Sequence, residues 1–435
     1  MFRNRIKDLI KWKEKTNHLP LLLLGARQVG KTYLLKEFAK NYYKDYVYIN
    51  FENIQSYHSL FESDLNPKRI ISDLELYFNK KINAKDTLII FDEIQYEKKA
   101  ITALKYFAEE MPDYDIVCAG SLLGVSLQRE NFSFPVGKVE FTYLYPFTFD
   151  EFLRGIGQEI LLDRIEICYR TVVEMPELIH NKLISLYKQY LCIGGMPAAI
   201  KEYINNNYDL VDFDRNVHNN IINAYLADMS KYTTSSEVVK VQAIYKSLPE
   251  QLAGDNRKFK YSIIEKGGKA SQFGSSIEWL LMSLVNIECS LLKLPEFPLS
   301  AYKEKGYFKI YMNDVGLLMS LAQIPFKIVM LENEHNLFKG AITENYAAQQ
   351  LKMNNEELYY WKNKTHEVDF IKVINGEIIP IEVKAGNNKR SRSLNEYIRL
   401  YNPKYAIRLS TKNFGACNQI KSIPLYAAYL IGKRL

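Results

Sequence analysis
Gly25-Ala26-Arg27-Gln28-Val29-Gly30-Lys31-Thr32 has the spacing G-x-x-x-x-G-K-[ST], and its neighbours suit it. Leu21 to Leu24 is a short apolar run that reads as a buried strand, and Tyr33 to Lys40 reads as the helix that follows. Glycines let the chain curl so that successive N–H groups point inward at phosphate oxygens. A helix N-terminus adds partial positive charge at the same place. The segment from Gly25 through Tyr33 is therefore expected to bind ATP or GTP. Lys31 reaches the β- and γ-phosphates, and the Thr32 hydroxyl ligates Mg²⁺.

Such a site needs an acidic strand end, and Thr87-Leu88-Ile89-Ile90-Phe91-Asp92-Glu93 supplies one. A parallel strand covered on both faces reads as a continuous apolar run, and ligands gather at the carboxyl ends of such strands. Asp92 is expected to hold Mg²⁺ and Glu93 to orient or deprotonate the attacking water. A third run, Asp115 to Ala119, ends in Gly120-Ser121, and Ser121 is placed to sense the γ-phosphate. With Tyr46 to Phe51 as a further strand, the order implies an α/β fold, a mostly parallel sheet with helices on both faces.

Composition narrows the classes. The chain has 435 residues, 47% of them hydrophobic, which suits ordinary packed cores and roughly three domains. No apolar run approaches the ~20 residues that span a bilayer. Met1 to Lys15 reads as a basic amphipathic helix and is taken as the first structural helix. The five cysteines (Cys118, Cys168, Cys192, Cys289 and Cys417) are scattered without a C-x-x-C pair, which suggests a reducing, cytoplasmic setting and argues against structural zinc. Residues 326–435 hold 17 Lys/Arg against 10 Asp/Glu, and after Glu382 there are 11 basic residues and one acidic residue, Glu396. A basic excess in one region suggests an anionic polymer as partner, DNA more than RNA; a solvated surface is the plain alternative. A homo-oligomer is one reading of the chain, and the number of copies is left open.

A second set of carboxylates lies near the C-terminus. Gly340 to Lys352 reads as a helix with Glu344, Ala347, Ala348 and Leu351 on one face. A glutamate on such a face is costly unless partnered. His366 to Ile374 and Glu377 to Ala385 read as strands joined by Asn375-Gly376, a two-residue hairpin signal. That register puts Asp369 opposite Glu382 and Glu367 opposite Lys384, all on one face, with Val368, Phe370, Ile379, Ile381 and Val383 on the other. Opposed carboxylates repel. Glu344, Asp369 and Glu382 are therefore expected to share a hard cation such as Mg²⁺, with Lys384 orienting water. A purely structural ion cluster is the alternative.

With these residues in place, the chain resembles the large prokaryotic AAA-type ATPases that carry a C-terminal domain of unknown function. GARQVGKT, LIIFDEIQ, CAGSLLG, YPFTFDEFL and YLCIGGMPAAI look like that family's markers. The C-terminal helix and hairpin look like the PD-(D/E)XK nuclease fold, with Asp369, Glu382 and Lys384 matching D…E-x-K and Glu344 the helix glutamate. Where the family has G-R-V, this chain has Gly137-Lys138-Val139, and a lysine lacks the bidentate fork of arginine. Arg27 or Arg129 remains a candidate finger.

The resemblance implies an ATPase core at 1–140, a helical lid at 141–235, a winged-helix-like region at 236–325 and a nuclease-like domain at 326–435. Two functions stay open. One is an ATPase acting on nucleic acid with a Mg²⁺-dependent nuclease site. The other is a regulatory or signalling ATPase switch whose C-terminal domain binds DNA, RNA or a protein partner without cleaving.

Overall fold
The structure is a computed structural model that describes residues 1–435 except 122–133, 232–234, 255–256, 332–336, 354–355, 387–390 and 434–435. The described residues fall into two compact units: Phe2–Tyr145 with Met282–Leu284, and residues 146–281 with 285–435.

The first unit is built on strands β1 (Leu21–Leu24), β2 (Asp45–Asn50), β3 (Thr87–Asp92), β4 (Ile116–Gly120) and β5 (Glu140–Tyr143). Their order is β2-β3-β4-β1-β5, and every neighbouring pair is parallel. β1, β3 and β4 are buried at every position, as strands covered by helices on both faces must be. One core joins Leu22, Val47, Ile49, Ile89, Phe91 and Ile116 to Ile70, Leu74, Leu104 and Phe107 of the flanking helices. The N-terminal helix Ile6–Glu14 buries Leu9 and Trp12, and the Trp12 indole donates to Leu19 O at 2.8 Å.

β5 was not expected, because residues from Phe141 onward read as helical. It is short and half-exposed, so it lacks the apolar run that reveals the inner strands. Its pairing with β1 is extended by Leu144 N donating to Leu24 O at 2.7 Å. The first unit thus reaches Tyr145 rather than residue 140.

The second unit holds an eight-stranded mixed sheet. Its strands are β6 (Asn286–Leu292), β7 (Lys303–Met312), β8 (Leu358–Lys362), β9 (Glu367–Ile374), β10 (Glu377–Val383), β11 (Ala406–Ser410), β12 (Gly415–Cys417) and β13 (Ile420–Pro424). The order is β12-β13-β11-β10-β9-β8-β6-β7. Pairing of β6 with β8, from Cys289–Leu358 to Leu292–Trp361, makes the sheet continuous from residue 286 onward. The divisions expected at 235 and 325 therefore fall inside one unit.

Asn375 and Gly376 both have positive φ (52° and 79°), as a two-residue hairpin turn of this hand requires. Ile374 pairs with Glu377 and Val373 with Ile378, and the register runs on to Phe370–Ile381.

Two of the sequence markers have structural roles. In the Thr148-Phe149-Asp150-Glu151 stretch, Glu151 accepts from the Thr148 N–H at 3.0 Å and helps start the helix Phe149–Gly155. The Gly194-Gly195 pair closes the helix Glu177–Ile193, and Gly195 N donates to Asp314 at 2.5 Å. A Cβ on Gly194 would lie 2.1 Å from Asp314 Oδ1, and one on Gly195 2.2 Å from Phe147 O.

Candidate functional site
Main-chain geometry builds the phosphate loop. Gly30 caps the helix Lys31–Tyr42 in the left-handed region (φ 95°), and Gln28 also has positive φ (65°). A Cβ on Gly25 would lie 2.5 Å from Leu144 O, so the close approach of the chain just after β5 demands glycine there. Lys31 is buried, and its ammonium donates to Gly25 O (2.9 Å) and Ala26 O (3.0 Å). It is thereby held against the loop. Ala26 and Val29 are buried, Arg27 is half-buried and Tyr33 is exposed.

The acidic strand end meets the loop. Thr32 Oγ1 donates to Asp92 Oδ2 at 2.6 Å, and Asp92 is 1% exposed. Oxygen donors in this arrangement suit a hard cation such as Mg²⁺. Glu93 follows in the left-handed region (φ 51°), with its N–H donating to Asp92 Oδ1 at 3.0 Å. Ser121 is buried directly after β4, the strand between β3 and β1. Lys138 pairs with Glu109 at 3.0 Å, and Arg129 lies outside the described residues.

Two residues escaped the sequence reading. The Tyr48 hydroxyl donates to Asp92 Oδ2 at 2.8 Å. Burial pushes its phenol well above the ordinary value; Asn50 opposes and the Asp92 charge adds to the shift, so it stays a donor. Gln95 donates its amide to Glu93 Oε2 at 2.6 Å. Tyr48 could have been found by alternation, since it shares a face of the sheet with Asn50, the register partner of Asp92.

At the C-terminal carboxylates the structure departs from expectation. Glu344 does not join Asp369 and Glu382 in a metal set. Its Oε1 accepts from Lys309 Nζ (2.9 Å) and the Tyr311 hydroxyl (2.5 Å), and its Oε2 accepts from Arg257. Lys309 is fully buried and reaches Glu367 Oε1 at 2.7 Å, while Lys362 meets Glu367 at 3.1 Å. Burial acts to raise the Glu367 carboxyl, but Lys309 and Lys362 hold it below the usual range. Among the described residues, no group of three or more His, Cys, Asp or Glu side chains is arranged to hold a metal ion. A lysine ammonium supplies the positive charge that crowded carboxylates require.

Asp369, Glu382 and Lys384 do come together. Asp369 Oδ2 accepts from Val383 N at 2.7 Å, just beyond the last hairpin pair, and Lys384 Nζ lies 3.0 Å from Glu382 Oε1. Burial pushes the Glu382 carboxyl up, Lys384 pulls it back, and Asp369 pushes it further. Lys384 therefore pairs with Glu382, and Glu367 is held by Lys309 and Lys362.

Comparison with known proteins adds three findings. Residues 17–153 match the family described as AAA domain, while 184–327 and 339–428 match families described as domains of unknown function (DUF8612 and DUF4143). The uncharacterized protein MJ1544 of Methanocaldococcus jannaschii is 23% identical over 396 residues, 86% of this chain and 77% of that protein. Among solved structures, the Walker-type ATPase PABY2304 of Pyrococcus abyssi is 16% identical with a TM-score of 0.43, covering 73% of this chain and 95% of its own. The ORC2 protein of Aeropyrum pernix, in ADPNP and ADP complexes, is 12% identical with a TM-score of 0.37, covering 80% and 96%.

Proposed function
We propose that this chain, whose residues 17–153 are a P-loop ATPase domain of the AAA kind, hydrolyses ATP with Mg²⁺ and uses the cycle to control nucleic-acid binding by its second unit, without cutting the strand. The observation that carries the ATPase half is the Thr32–Asp92 contact of 2.6 Å with Glu93 next in the chain. Thr32 and Asp92 would hold Mg²⁺, which when bound neutralises charge on the triphosphate. Lys31 and the loop N–H groups bind and orient the phosphates. Glu93, oriented by Gln95, accepts the proton of the attacking water. Ser121 donates toward the γ-phosphate.

Support for the second half is the basic excess of the C-terminal region, 17 Lys/Arg against 10 Asp/Glu after residue 325. The same region speaks for binding over cleavage: Glu344, the helix glutamate of the nuclease pattern, is committed to Lys309, Tyr311 and Arg257. The nuclease reading keeps one specific support, the proximity of Asp369, Glu382 and Lys384. Supercoiled plasmid and single-stranded DNA incubated with Mg²⁺ separate the two. Binding is expected with equal background nicking by wild type and Glu382→Ala. Nicking that Glu382→Ala removes would establish the nuclease instead.

A further inference from the structure
The second unit contains a cavity of about 320 Å³ whose described lining includes Lys188, Lys339 and Lys412 and no carboxylate. It opens where two parallel strands end. β10 and β11 run side by side, and Ala385 and Gly386 just after β10, with Thr411 and Lys412 just after β11, form part of its wall. The carboxyl ends of adjacent parallel strands are where open α/β sheets bind ligands. The helices Glu177–Ile193 and Leu337–Lys352 close the other sides with Tyr187, Lys188, Lys339 and Thr343.

Tyr187 is buried behind this wall, 2% exposed, with the Thr343 side chain beside its hydroxyl. His180 contributes no charge: burial lowers its imidazole, and its nitrogens are engaged by Thr411 O and the Tyr426 hydroxyl, each at 3.0 Å.

We infer that this cavity is a second anion site of the chain, taking the phosphate group of a nucleic-acid strand or of a free phosphorylated molecule. Lys188, Lys339 and Lys412 line a space wide enough for one or two phosphates, with no described carboxylate on the wall to repel them, and Lys188 Nζ also reaches Met330 O at 3.5 Å. The site rests on the same partner class as the proposed function and uses neither the residues of the ATPase loop nor Glu382.

The test uses the full chain carrying Lys31→Ala, which silences the first phosphate site. Two probes are titrated: a labelled single-stranded DNA of about 20 nucleotides, longer than one binding footprint, and inorganic pyrophosphate. Lys188→Gln/Lys339→Gln/Lys412→Gln is compared with Lys305→Gln/Lys364→Gln/Lys404→Gln, which removes equal charge from exposed positions of the same unit.

A loss of about tenfold or more for either probe, confined to the first triple, supports the site. If DNA is the probe lost, the log–log salt slope also falls by about 2. If pyrophosphate alone binds and is lost, a free phosphorylated molecule is the occupant, and the nucleic-acid reading fails while this one stands. Equal losses in both triples, or no binding of either probe, overturn the inference. The single changes Lys188→Gln, Lys339→Gln and Lys412→Gln decide the case if the triple misfolds: the site requires a several-fold weaker probe affinity at unchanged thermal stability in at least one of them, and unchanged affinity in all three contradicts it.

Discussion

The ammonium of Lys309 lies 2.9 Å from Glu344 Oε1, and both side chains are sealed from solvent, at 0% and 2% exposure. The same ammonium reaches Glu367. Removing one partner of a buried ion pair leaves the other charge stranded, which typically costs 3–5 kcal/mol. Lys309→Met is expected to destabilise the second unit by about 3 kcal/mol, read as a lower urea midpoint. Adding Glu344→Gln is expected to recover part of that loss. An unchanged midpoint in Lys309→Met would show that the ammonium does not hold the cluster.

Asp314 gives the second unit a pH signature. It accepts from Gly195 N and Leu317 N, and burial pushes its carboxyl from 3.8 up to about 6. The folded state thus binds more protons than the unfolded state between these values. The stability Asp314 contributes is full below the ordinary aspartate range and is lost as pH rises through about 6, by about 3 kcal/mol. His218 runs the other way, since burial lowers it to about 4 and keeps it neutral; its share is lost as pH falls from about 6.5 toward 4. The stability of wild type relative to Asp314→Asn should fall between pH 4 and pH 6. A flat difference across that range would contradict the assignment.

Gly25→Ala places a Cβ 2.5 Å from Leu144 O, a main-chain atom that cannot swing aside. The loop and the chain just after β5 must separate, at a cost of about 2 kcal/mol. The expected result is a lower melting temperature together with weaker binding of a fluorescent ATP analogue. Wild-type affinity in this variant would show that the loop tolerates the shift.

Tyr48→Phe removes a donor from Asp92 without changing shape. A hydrogen bond to a charged group is worth about 1.5–3 kcal/mol, so kcat should fall about tenfold with ATP affinity nearly intact. Wild-type turnover would place Tyr48 outside the working site.

The strand and helix around Gly25–Thr32 and the strand ending at Asp92 were legible because their signals are local: a few residues at fixed spacing define the loop, and one apolar run ending in acid defines the strand. The hairpin was legible because Asn375-Gly376 sets its register. What stayed hidden depends on distant pairing. Lys309 is 35 residues from Glu344 and meets it only because β6 and β7 join the sheet of the hairpin. A lysine inside the apolar run Phe308–Met312 was the available signal, since a buried ammonium demands carboxylates. β5 escaped because a four-residue edge strand, half-exposed and followed by aromatic residues, carries no clear period.

ATP turnover at saturating Mg²⁺, measured for wild type, Lys31→Ala and Glu93→Gln beside direct nucleotide binding, tests the central claim that the loop and the β3 carboxylates form one hydrolytic site. Steady hydrolysis by wild type is expected, with loss of binding in Lys31→Ala and retained binding without turnover in Glu93→Gln. Hydrolysis by Glu93→Gln at the wild-type rate would contradict it.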